Sequence, residues 1–237
     1  MQKRSEKIFV NIFVNVIICL VIISVFSFSF AGDMFVLANA EIDKPIFKGN
    51  EQKNNVSLMF NVYQGTEYID GILNVLDKNG VKATFFVGGT WVSKNTDVFQ
   101  KIVDSKNEIG NHGFLHRDHD KISFDKNKQE IMLCHEIVFK TTGKTMVLFA
   151  PPSGAYNSTT LNAAKQLGYK TIMWSKDTID WRDHDKSVIF KRATKNLSNG
   201  DLVLMHPTKE TLEALNDVIS EIKRQNFNIV TVGDNIE

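Results

Sequence analysis

The chain has 237 residues, 43% of them hydrophobic and 23% charged, with 28 basic and 27 acidic residues and a formal charge of +1. This balance, with no long single-sign run, gives no electrostatic case for nucleic acid as a partner. Of the two cysteines, Cys19 lies in an apolar leader and Cys134 in a helical stretch, which excludes a disulfide framework within the folded domain.

Lys3, Arg4 and Lys7 precede an apolar run from Ile8 to Phe30 that is long enough to cross a bilayer as a helix. Ala38-Asn39-Ala40 supplies a small-x-small cleavage pattern, so residues 1–40 read as an N-terminal membrane anchor or a signal peptide. The run exceeds a usual signal core, which favours the anchor. Either way the basic flank stays inside and the domain is exported, which makes the expected location extracytoplasmic. Residues 41–55 carry Pro45 and Gly49 among polar side chains and read as a tether, leaving 56–237 as the folded domain.

From Val56 onward, strand-like runs near 56–61, 82–87, 107–111, 146–149, 169–174, 201–205 and 227–232 alternate with amphipathic stretches at 67–79, 95–105, 125–142, 157–167, 186–197 and 208–225. Asn157-Ser158 and Ser187 sit where helix N-caps belong, and Gly80 and Gly168 follow helix ends. Strict alternation predicts a parallel sheet of the α/β class, and seven such units predict a distorted seven-stranded (β/α) barrel. Phe85, Phe86 and Trp91 are expected in the core, and Cys134 is expected to be a buried small apolar residue. His119, His135 and His184 fit no strand end and read as surface groups.

In a parallel α/β barrel, functional groups gather at the carboxyl ends of strands. The polar residues fall there repeatedly: Asn61 to Glu67 after the first strand, His112 and His116 after the third, Pro152-Ser153-Gly154 after the fourth, Asp177, Asp180 and Trp181 after the fifth, and His206 after the sixth. His112 and His116 are separated by one helical turn, a spacing that lets two imidazoles share a divalent metal. A chance pair on a solvated turn is the alternative.

Five segments carry a resemblance: Ala83-Thr84-Phe85-Phe86-Val87, Glu108 through His116, Phe149 through Gly154, Asp177-Thr178-Ile179-Asp180-Trp181 and Leu204-Met205-His206. In this order and at these spacings they resemble motifs of the polysaccharide deacetylases, the NodB-homology family of carbohydrate esterases, over residues 56–235. The resemblance implies removal of N- or O-acetyl groups from an amino-sugar polymer such as peptidoglycan or chitin. It also implies a divalent metal, usually zinc, that polarises the acetyl carbonyl and activates water. Carried over by position, His112 and His116 are metal ligands, His206 is the acid that protonates the leaving amine, and Asp180 holds and tunes His206. Pro152, Ser153 and Gly154 are implied to form the groove wall, and Trp181 and Leu204 to line the acetyl pocket.

The chain departs from the family in its first motif. Met59-Phe60-Asn61-Val62-Tyr63-Gln64-Gly65 stands where Thr-Phe-Asp-Asp-Gly is usual, so the ordinary base and carboxylate ligand are missing at Asn61 and Val62. Ala150 replaces the arginine that orients the base, a coherent loss, because an arginine facing no carboxylate would be a buried unpaired charge. Glu67 is the candidate replacement as base or ligand, its other role being an acid favoured by the dipole in a first helical turn. Asn61 offers only a neutral amide oxygen, a poor zinc ligand. Two readings follow: a metal-dependent deacetylase of cell-wall polysaccharide, or a catalytically silent module that keeps the sugar groove.

Overall fold

The computed structural model describes residues 44–237 and, within the leader, Val16, Ile17 and Leu20. The reading of residues 1–40 as anchor or signal peptide thus lies almost wholly outside the described residues. Among the described residues no helix is long and apolar enough to cross a membrane.

The strands are β1 Asn55–Val62, β2 Thr84–Val87, β3 Glu108–Asn111, β4 Leu148–Phe149, β5 Lys170–Thr171, β6 Lys176–Asp177, β7 Leu202–Met205 and β8 Asn228–Ile229. The helices are α1 Thr66–Lys78, α2 Gly89–Lys94, α3 Thr96–Asp104, α4 Phe124–Thr142, α5 Ser158–Gln166, α6 Asp180–Asp183, α7 Lys186–Thr194, α8 Lys209–Arg224 and α9 Val232–Ile236. The sheet runs β5-β4-β3-β2-β1-β7-β6 with every pairing parallel, and β8 joins only the first two residues of β1. Seven strands therefore curl into an incomplete (β/α) barrel, as the alternation predicts. One member differs: β6 takes the edge position beside β7, and the expected last strand shrinks to the stub β8. A two-residue strand in the polar run Ser175-Lys176-Asp177 has no periodicity to betray it.

Alternation along β1 sorts its side chains into two cores. Val56, Leu58, Phe60 and Val62 pack under the helices, whereas Met59 joins Phe86, Leu148, Ala150, Ile172, Leu202 and Leu204 inside the barrel. Phe85, Phe86, Trp91 and Cys134 are all buried, as expected. Burial pushes the Cys134 thiol up to about 12, so it stays an inert apolar group.

Three expectations are corrected. The described part of the 41–55 tether is built into the barrel: Ile46 bridges Ile172, Lys48 bridges Asp201, and the Gly49 amide donates to the Gly200 carbonyl at 2.7 Å. This segment spans the seam between the β5 and β7 sides, and Gly200 (φ 82°) has no room for a Cβ because the Gly49 carbonyl would sit 2.7 Å from it. The N-cap of α7 is Asp185, which accepts from the Ser187 and Val188 amides, so Ser187 lies inside the helix. The predicted 95–105 helix is preceded by the unpredicted α2, which opens on Gly89 rather than a capping residue. Asn157 does cap α5 through a capping box with Thr160.

Candidate functional site

An open cleft of about 840 Å³ lies over the carboxyl ends of β1, β3, β6 and β7, lined by Asn61, Glu67, His112, His116, Ser153, Asp177, Trp181, Leu204 and His206 among others. The best-formed part is built around Asp180. The backbone reaches it through a β-branched residue in the left-handed region, Ile179 (φ 52°), whose amide donates to Asp177 Oδ1 at 2.8 Å. Thr178 anchors the same turn by donating its hydroxyl to the Leu204 carbonyl, while Arg192 donates to the Thr178 carbonyl. This strained turn delivers a fully buried Asp180 carboxylate to His206, whose Nδ1–H donates to Oδ1 at 2.7 Å and whose amide donates to Oδ2 at 2.6 Å. The Thr211 hydroxyl, from the first turn of α8, and the Trp181 amide complete the shell. Burial acts to raise the Asp180 pKa, but the His206 hydrogen bond and charge, with Thr211, outweigh it and hold the carboxyl below its usual range. The proton on His206 Nδ1 leaves Nε2 as the free ring nitrogen.

The histidine wall is held differently. His112 is buried and donates from Nδ1 to the Ala150 carbonyl at 2.7 Å, so its other nitrogen, Nε2, is free of that bond. His116 takes a left-handed backbone (φ 54°), lies edge-on to His112 with centroids 5.1 Å apart, and lies tilted against Tyr63 with centroids 4.4 Å apart. The loop carrying both is pinned by buried Glu130 of α4, which accepts from the Phe114 and Leu115 amides and pairs with Arg117 at 3.2 Å. Burial, followed by the neighbouring imidazole, depresses the His112 pKa well below the ordinary value, and burial depresses that of His116. Both rings are neutral near pH 7.

The first loop completes the cleft. Asn61 lines it while almost wholly buried, and its Oδ1 has no hydrogen-bond partner. Val62, read from sequence as the second lost carboxylate position, points instead into the core beneath the helices, because β1 continues through it. Gly65 (φ 71°) cannot carry a side chain, since a Cβ would lie 1.7 Å from the Pro207 carbonyl. This approach locks the first loop against the one bearing His206.

Most of the residues named from sequence come together here, with corrections. Glu67 is exposed in the first turn of α1, lines the cleft, and makes no side-chain ion pair or hydrogen bond among the described residues. It is not grouped with the imidazoles: among the described residues, no three His, Cys, Asp or Glu side chains are placed to hold a metal. Ser153, Trp181 and Leu204 line the cleft, but Pro152 and Gly154 do not; Gly154 abuts Trp174, and Pro152 lies beneath the histidine loop near Gly113. His119 is buried rather than on the surface, bonded to Asn127 and tilted onto Phe149. His135 is half-buried and bonded to the Tyr169 hydroxyl, and only His184 is exposed. Tyr63, Trp174 and Glu130 went unrecognised in the sequence. A tyrosine and a tryptophan just past strand ends were the available signals for the first two; nothing local marks Glu130, which acts from a separate helix.

The chain belongs to the polysaccharide deacetylase family, whose sequence profile matches residues 48–172. It is 38% identical to the uncharacterised protein YlxY of Bacillus subtilis over 80% of this chain, and spans 59% of that relative's length. The peptidoglycan-N-acetylmuramic acid deacetylase PdaA of Bacillus subtilis is 30% identical over 83% of this chain and 77% of PdaA. Among solved structures, a carbohydrate esterase family 4 pseudoenzyme from Bacillus anthracis matches with a TM-score of 0.80 and 35% identity, covering 82% of this chain and 69% of that one. A mutant of that pseudoenzyme, described as having restored enzymatic activity, matches equally well at 34% identity.

Deacetylases of this family are generally metal-dependent. The donor set here does not fit that metal: two imidazoles and a neutral, unpartnered amide oxygen replace the two-nitrogen, one-carboxylate set of a catalytic zinc centre.

Proposed function

We propose that this chain is a hydrolytically silent member of the polysaccharide deacetylase family that holds an amino-sugar polymer of the cell wall in its cleft. The observation that carries this reading is Asn61. A side-chain amide that faces the cleft and cannot act as a base occupies the carboxylate's place, with no third ligand beside His112 and His116. The restored activity described for a mutant of the Bacillus anthracis pseudoenzyme supports it, as a precedent for this fold without hydrolysis.

What remains suits a ring-shaped ligand. Trp181, 57% exposed on the cleft, offers an apolar face for a sugar ring, with Tyr63 and Trp174 as further aromatic walls and Leu204 as an apolar floor. The basic flank and apolar run of the leader support delivery of this domain to the outer face of the membrane, as an anchored or secreted protein.

A second reading, an active deacetylase, is favoured by the intact Asp180–His206 pair, which leaves a ring nitrogen free for proton transfer. In that case Glu67 supplies the base. The experiment is acetate release from N-acetylated chito-oligosaccharide and from peptidoglycan, with and without added zinc, alongside co-sedimentation with peptidoglycan. Binding without acetate release is the expected result. Acetate release that Glu67→Gln abolishes overturns the silent reading in favour of the second, and absence of both binding and release overturns both.

A further inference from the structure

The cleft carries hydrogen-bond acceptors with no protein donor, and carboxylates. His112 and His206 each commit Nδ1–H, to the Ala150 carbonyl and to Asp180, so in their neutral forms each has Nε2 left as an acceptor. Asn61 Oδ1 is a third acceptor, unpartnered although its residue is only 4% exposed. Glu67 and Asp177 line the same cleft; among the described residues Glu67 makes no ion pair or hydrogen bond, and Asp177 accepts from the Ile179 amide and feels the charge of Arg182. The one lysine of the cleft, Lys209, pairs with Glu213 at 3.8 Å, on its own helix. Here the matching ligand is a small cation that brings several N–H donors of its own.

Resting on the glycan-binding reading, we propose that the cleft selects sugars already freed of their acetyl group, binding the primary ammonium of a glucosamine-type residue in preference to the neutral acetamide. An ammonium brings three N–H donors and a positive charge to a cleft that holds these acceptors and carboxylates, whereas an acetamide brings one N–H and no charge. A protein of this specificity reads the product of its catalytic relatives, which places it after a deacetylation step.

The test is calorimetric titration of the full-length protein with two ligands, β-1,4-linked glucosamine tetramer and its fully N-acetylated counterpart. The expected result is tighter binding of the free amine by about tenfold or more, the scale of one or two charge-assisted hydrogen bonds. The preference should shrink towards equality in Asn61→Leu, while Trp181→Ala should weaken both ligands alike. Equal or tighter binding of the acetylated tetramer overturns the inference and leaves the glycan-binding reading standing. Failure of both tetramers to bind removes that reading itself. Because the comparison of two ligands on the natural protein needs no variant, a poorly folding Asn61→Leu does not blunt it.

Discussion

Two walls of one cleft have been treated differently. On the wall formed by α6 and the loop after β7, Asp180 is fully buried and accepts hydrogen bonds from the His206 ring and amide, the Thr211 hydroxyl and the Trp181 amide. On the neighbouring strand, at the end of β1, Asn61 is 4% exposed and its oxygen meets no hydrogen-bond donor among the described residues. A satisfied buried carboxylate holds its surroundings together, whereas an unsatisfied buried amide oxygen costs stability until a ligand meets it. The wall that survives intact is the one whose functional group also supports the fold.

Breaking the satisfied wall should therefore have the largest effect. Asp180→Ala leaves the His206 and Thr211 donors unpaired in the interior and is expected to cost about 3–5 kcal/mol, measured by urea unfolding. Next comes the contact that joins the walls: Gly65→Ala forces a side chain against the Pro207 carbonyl at a positive φ and is expected to cost about 1–3 kcal/mol, with loss of glycan binding.

A smaller effect concerns pH. His112, His116 and His119 are all held below the ordinary imidazole value of 6.5, each chiefly by burial. Bases with a depressed folded-state pKa stay neutral while the unfolded chain takes up protons, so stability is flat above about pH 6.5 and falls as pH drops below it. Thermal unfolding between pH 5 and 8 checks this, and His119→Gln should flatten the slope. Smallest of all is Asn61→Ala, expected within about 1 kcal/mol of the natural protein because it removes a group with no partner. A cost as large as that of Asp180→Ala would erase the contrast between the walls.

The parts of this site that the sequence revealed are those set by short-range pattern. His112, His116 and His206 follow strands whose apolar runs are easily seen, and strand ends in a parallel barrel face one side; Asp180 and Trp181 stood out only by following the apolar run at 169–174, although the short β6 lies between. What escaped depends on distant partners or on parity. His119 looks like a surface residue until Asn127 of α4 and Phe149 of β4 enclose it. Residues 46–49 look like a linker because Pro45 and Gly49 flank them, yet their backbone closes the barrel seam. Asn61 and Val62 look like two adjacent site positions, but a strand that runs through both must turn them to opposite faces, so only Asn61 reaches the cleft.

That parity gives the most direct test of the claim that one missing carboxylate silences the cleft. Acetate release from N-acetylated chito-oligosaccharide should be measured for the natural protein and for Asn61→Asp, both with zinc present. The account predicts no release from the natural protein and measurable release from Asn61→Asp, because the substitution keeps the amide's shape and restores a carboxylate to the cleft that His112, His116 and His206 line. Release by the natural protein at a rate that Asn61→Asp does not raise would contradict it.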